Sequence, residues 1–256
     1  MALLTALILV AVLMTGDSIS VPSSIPREKG SIVVSDQHLN QRWTAEWTME
    51  PAIENGRPAV RFTETGRGHY SPYTQPIRWS LTALWTADKS FYPLRFEKNI
   101  TDMNGRPLGY ERKTFDPAKH TVRFERKREN GAVETKELQG PADTVTVEGI
   151  AGILSFLPFD HWKPSSVHFL TNDPRLVEMK VQMRGKERIK TQAGEFECYR
   201  IELVPELGVL NIVKSLAPKA QFWFSTSPRH FFMRYEGPEN GPGTPHVIME
   251  LKDYQH

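Results

Sequence analysis

The sequence predicts a mainly β protein, an antiparallel sheet carrying one main helix. Three observations carry that expectation. Asn55-Gly56, Asn104-Gly105 and Asn130-Gly131 each separate two strand-like runs, and Asn-Gly suits the positive-φ positions of the type I′ turns that join antiparallel strands. The runs beside them alternate apolar and polar residues, as half-buried strands do. Only Asp143–Leu157 places apolar residues at helical spacing, at Ile150, Ile153, Leu154 and Leu157.

The elements follow in chain order. Leu3–Met14 (LLTALILVAVLM) carries no charge. As a helix it would be about 18 Å long, too short for a bilayer core of about 30 Å. With the small residues Ser18 and Ser20 before Val21, it reads as a signal peptide over residues 1–20. No second long apolar run follows, so the mature chain is expected to have no transmembrane span. Residues 21–40, rich in Pro, Ser and charge, read as a leader, and residues 41–256 as one antiparallel β domain.

Within that domain, Val122 and Phe124 point one way in Thr121–Arg128, and Arg123 and Glu125 the other. Met179, Val181 and Met183 oppose Glu178, Lys180, Gln182 and Arg184. Ala193-Gly194 marks a fourth hairpin. Phe231, Met233 and Tyr235 share a face in Phe231–Glu236. Near Cys198 the phase is mixed, and a bulge or a bend would reconcile Phe196 and Cys198 with Tyr199, Ile201 and Leu203. The helix would be capped by Thr144 or Thr146, stopped by Pro158, and weakened by Gly149 and Gly152 at about 1 kcal/mol each relative to Ala. Leu207–Ala217 fits either a short helix or an edge strand. Gly237–Pro245 reads as the last hairpin loop.

Composition sets outer limits. With 256 residues, 39% hydrophobic and 24% charged, the chain is neither disordered nor collagen-like. A formal net charge of +2, with both signs interspersed, leaves no electrostatic footprint for nucleic acid. The single cysteine, Cys198, excludes an intrachain disulfide. A large exported domain without disulfides fits a bacterial periplasm, the expected location.

The order of segments after residue 75 supports the same picture. Ser80–Phe96 (SLTALWTADKSFYPLRF) precedes an Asn-Gly turn and Lys113-Thr114-Phe115-Asp116. The apolar helix, the hairpin Gly185–Leu203 (GKERIKTQAGEFECYRIEL) and Phe222–Gly237 (FWFSTSPRHFFMRYEG) follow. Together they resemble the bacterial envelope family catalogued as domain of unknown function 3108, over about two thirds of the chain. The resemblance implies an exported protein with a curved antiparallel sheet or half-open barrel. It implies no catalytic motif. Trp43–Phe62 lies outside it, and that hairpin rests on turn chemistry.

Candidate chemistry is sparse. Asp160, His161, His168 and Asp173 match no metal-ligand spacing, so neither a metal nor another cofactor is expected. Cys198, between Glu197 and Tyr199, reads as a packing residue rather than a nucleophile. Ser225 and His230 lie close in sequence without a Gly-x-Ser-x-Gly elbow. A periplasmic hydrolase built on residues 160–173 or 225–230 is the alternative function. The basic stretch Arg112–Arg128 is interleaved with acids and reads as a solvated strand face.

Aromatics are denser, including Trp43, Trp47, Trp79, Trp85, Phe222, Trp223 and Phe224. They form either the core of the sheet or the lining of a bent sheet that holds an amphiphile. The expected function is non-catalytic: an envelope protein that binds an amphiphile, such as a lipid, or another envelope protein. The candidate lining residues are Trp85, Ile150, Leu154, Leu157, Phe222 and Trp223.

Overall fold

The fold is described from a computed structural model covering residues 21–22, 24–88, 90–161, 165–206, 219–227, 229–241 and 243–255. The expected signal peptide and the ambiguous segment Leu207–Ala217 lie outside the described residues. In the first half, the strands are β1 (Glu28–Asp36), β2 (Gln41–Glu54), β3 (Arg57–Gly68), β4 (Ile77–Thr86), β5 (Pro93–Asp102), β6 (Pro107–Asp116), β7 (Thr121–Lys127) and β8 (Val133–Gln139). The second half contains β9 (Thr144–Thr146), the helix α1 (Ile150–Leu154), and β10 (Ser165–Leu170). It continues with β11 (Leu176–Thr191), β12 (Gly194–Pro205), β13 (Ala220–Ser225), β14 (Phe232–Pro238) and β15 (His246–Gln255).

All fifteen strands belong to one open sheet, in the order β8 through β1, then β15 through β9. From β1 to β8 and from β10 to β15 the strands run as up-and-down meanders, and the halves join where β1 pairs with β15. Neighbours are antiparallel except β9 and β10, which are parallel. The two edge strands are also consecutive in sequence. Only residues 140–143 connect β8 to β9, a reach of about 18 Å at full extension. The sheet must therefore roll until its edges approach each other. Tyr92, Phe115 and Val122 from the first half accordingly pack with Leu170 from the second.

Strand β1 corrects the expected leader. It lies inside residues 21–40, yet it is hydrogen-bonded on both sides and buries Ile32, Val33 and Val34. The run Ser31-Ile32-Val33-Val34 is a β-branched strand sequence between polar flanks.

The hairpins stand where the turn residues place them, but their geometry differs. Asn55 (φ 50°) and Gly56 (φ 76°) make the expected two-residue type I′ connection. At the other two turns only Gly105 (φ 88°) and Gly131 (φ 83°) have positive φ. There Asp102 and Arg128 each bond the backbone of the glycine and of the residue after it. These are three-residue loops, a type I turn closed by a left-handed glycine. The Asp102 carboxylate adds bonds from the amides of Asn104 and Arg106. Thr191 pairs with Gly194, so the fourth loop is Gln192-Ala193. The last hairpin closes at the pair Pro238–His246.

Strand phase is as expected at Val122 and Phe124, which are fully buried, and at Val181, which is inward of exposed Glu178 and Lys180. Strand β12 alternates without a break: Tyr199, Ile201 and Leu203 face one cluster, and Cys198 faces another with Trp223 and Met233. The mixed pattern arises because both faces are covered. The register shift lies on the neighbouring β11, between Met183 and Gly185. A second shift corrects the 231–236 phase. Trp223 pairs with Arg234 but Phe224 with Phe232, so Phe232 and Tyr235 pack on the inner cluster while Phe231 and Met233 pack with Cys198 and Trp223.

The expected main helix shrinks to the five residues of α1. Thr144-Val145-Thr146 is strand β9, as a run of β-branched residues favours. Gly149 then turns the chain with φ 68°. A Cβ there would lie 2.3 Å from the Trp85 ring, so glycine is needed for both space and conformation. The apolar stripe also divides. Ile153 and Phe156 pack on the β1–β6 cluster, while Ile150, Leu154, Leu157 and Phe159 pack on the β11–β14 cluster. The segment is thus a strut between the two arms of the rolled sheet.

Candidate binding cavity

A cavity of about 500 Å³ lies between the arms, beside the strut. From the first arm it takes Ile32, Trp43, Met49, Phe62 and Leu81. From the second it takes Leu203, Phe222, Tyr235 and Met249, and the strut adds Val147 and Ile150 through Gly152. This apolar wall follows from strand alternation, which sends every second residue of β2, β3 and β4 to the concave face.

The same alternation brings in a few polar groups. Register aligns Glu64, Leu81, Lys98 and Glu111 in one row across β3 to β6. Glu64 accepts a bond from Trp79 Nε1 at 2.7 Å. Burial lifts its carboxyl above the ordinary value, opposed by that bond and by the charge of Lys98. Lys98 is 7% exposed and sets its ammonium 3.9 Å from the centre of the Tyr70 ring. Burial holds the Tyr70 phenol well above its ordinary value, so it keeps its proton. Glu148, on the strut, meets the fully buried Lys113 at 2.6 Å. Its second oxygen is buried without a hydrogen-bond partner. Glu239 takes Arg42 at 2.9 Å, Trp43 Nε1 at 2.7 Å and the Ser71 amide, and these bonds hold its carboxyl below the ordinary value against burial.

Of the six residues expected at a ligand, Ile150 and Phe222 line this cavity. Trp85 supports the strut from behind Gly149. Leu154 and Leu157 are buried among side chains of the second arm. Trp223 lies on the opposite face of β13, its indole bonded to Glu187, because adjacent residues of a strand point oppositely. The residues missed are Glu64, Lys98 and Glu148. Lys98 and Glu64 were legible as polar residues in an inward phase, in Phe96-x-Lys98-x-Ile100 and Val60-x-Phe62-x-Glu64.

The polar positions weighed for catalysis disperse. Asp160 bonds Tyr199, His168 bonds Asp143 at 2.8 Å, and Asp173 pairs with Arg175. Among the described residues no three His, Cys, Asp or Glu gather as a metal site. One residue of each loop in the hydrolase alternative reaches Tyr199, whose hydroxyl bonds Asp160 and whose ring packs edge-on against His230. However, His230 Nδ1 contacts the carbonyl of Ser225, while the Ser225 hydroxyl is buried and accepts from the Phe231 amide. Cys198 is buried, and desolvation with Glu187 and Glu197 pushes its thiol up to about 12. The basic stretch is neutralised by ion pairs, including Arg112–Glu97, Arg126–Glu134 and Lys113–Glu148. No helix of the described residues is long and apolar enough to cross a membrane.

No curated protein matches the chain. Among solved structures, it is similar to a presumed exported protein with a YmcC-like fold from Bacteroides fragilis. That match has 8% identity and a TM-score of 0.39, over 93% of this chain and 100% of the other. A presumed lipoprotein from Parabacteroides distasonis is similar with 8% identity and a TM-score of 0.35, over 93% and 98%. The sequence profile of the family described as "Protein of unknown function (DUF3108)" matches residues 41–244, including the Trp43–Phe62 hairpin that the sequence reading left outside, and the chain belongs to that family.

Proposed function

We propose that the protein is an exported, non-catalytic carrier that binds an amphiphile in the cavity between its two sheet arms. One observation carries the reading: an apolar cavity of about 500 Å³ persists beside the strut, with a minority of polar groups on its wall, Glu64, Lys98 and Glu148 among them. That volume falls within the roughly 300–1,000 Å³ of small-molecule sites, which combine apolar walls with a few orienting polar groups. Export, to the periplasm, rests on the short apolar run Leu3–Met14 and the small residues after it.

The test is displacement of a fluorescent fatty-acid probe. Wild type should bind the probe, and Ala151→Trp, which puts an indole into the cavity, should lose it. Leu154→Ala removes a leucine that is 1% exposed and packed in the second arm. It should cost about 2–5 kcal/mol of stability and leave probe affinity nearly unchanged. Absence of probe binding by wild type, or undiminished binding by Ala151→Trp, would reject the carrier reading.

A further inference from the structure

Lys98 stands apart from the other buried charges. Among the described residues its ammonium makes no hydrogen bond or ion pair; it contacts the rings of Tyr70 and Trp79, at 3.9 and 5.3 Å from their centroids. The carboxylates around it are engaged elsewhere. Glu64 holds Trp79, Glu111 meets Arg126 at 3.6 Å, Glu148 holds Lys113, and Glu239 holds Arg42 and Trp43. Glu28, also at the cavity, meets Arg229 at 3.6 Å. The Glu64 carboxyl feels the Lys98 charge, but no carboxylate oxygen of the described residues bonds the ammonium; the side chain is 93% buried at an apolar cavity, and ring contacts offset only part of the desolvation cost.

Cavity chemistry narrows the anion. One ammonium matches one negative charge, and the surrounding carboxylates disfavour a dianion. Among the described residues no arginine lines the cavity, so they do not offer the two-pronged recognition typical of phosphate. The Tyr70 phenol retains its proton and donates it to Asn240 Oδ1 at 3.5 Å, so Lys98 is the one cationic donor among the described residues that line the cavity.

We propose that Lys98 receives the carboxylate head of a fatty acid whose chain occupies the apolar part of the cavity. The proposal rests on the carrier reading above and adds which end of the ligand is recognised.

The experiment titrates cis-parinaric acid and its methyl ester against the full chain as wild type, Lys98→Met and Lys98→Arg. The ester keeps the chain and loses the charge. A charge-assisted hydrogen bond corresponds to a preference of roughly 10- to 100-fold for the acid in wild type. Lys98→Met should abolish that preference by weakening the acid while ester affinity stays within about twofold, and Lys98→Arg should retain it. Equal affinity of wild type for acid and ester, or a preference that survives Lys98→Met, would overturn the assignment and leave the carrier reading standing. Binding of neither probe would overturn both. Should Lys98→Met fail to fold, the wild-type ratio and Lys98→Arg still decide.

Discussion

The pair Lys113–Glu148 ties the strut to β6, and removing one partner should expose its weight. Lys113 is 0% exposed and its ammonium lies 2.6 Å from Glu148. It also bonds Asn172 at 3.3 Å and sits 4.6 Å from the centre of the Phe96 ring. Lys113→Met keeps the length of the side chain but leaves Glu148 buried without a counter-charge. Breaking a buried pair this way costs about 3–5 kcal/mol, whereas replacing both partners with matched apolar groups is close to neutral. For a domain of this size, the single change corresponds to a fall in Tm of roughly 6–20 °C. Urea and thermal unfolding of Lys113→Met, Glu148→Met and the double variant form the assay. The double variant should recover most of the loss. A single-variant cost below about 1 kcal/mol, or a double variant as unstable as the sum of the singles, would refute the claim that this pair is a coupled unit holding the strut.

Three other outcomes are expected. Gly105→Val and Gly131→Val should each lower stability by about 1–3 kcal/mol in urea titrations, because both sites have positive φ and open space where a Cβ would go, leaving backbone conformation as the sole penalty. Burial raises the Glu64 carboxyl, so its contribution to stability is fully present below the unfolded value and is lost as pH rises through the raised folded one. Glu64→Gln should therefore raise the urea midpoint at pH 7 while changing it little at pH 4, and equal effects at both pH values would contradict that sign. Cys198 should resist iodoacetamide at pH 8 in the folded protein and react at the rate of a free thiol in urea, since its thiol is pushed up to about 12.

Much of the sheet was legible because turns and alternation are local. Gly56, Gly105 and Gly131 mark three of the hairpins, although the type of turn depended on loop length that dipeptide chemistry does not set. Local patterns failed where tertiary contacts decide. Asp143–Leu157 carries apolar residues that fit one helical stripe, but they serve two clusters on opposite arms, and Gly149 breaks the helix to accommodate Trp85. Ser31–Val34 looked like part of a leader because no Asn-Gly turn marks its hairpin with β2 and its other partner, β15, lies at the far end of the sequence. The cavity was half visible. Aromatic density pointed to it, and Phe222 and Ile150 line it. Trp223 was misplaced by counting rings without their parity, and Lys98 and Glu148 were hidden because a lysine or glutamate in a strand or loop ordinarily faces water.

Native mass spectrometry of the protein purified from its own cells tests the central claim most directly. The carrier reading predicts a population heavier than the chain by the mass of one amphiphile, lost on denaturation and displaced by added fatty acid. The bare chain mass under gentle desolvation, together with no new peak when fatty acid is added, would contradict it.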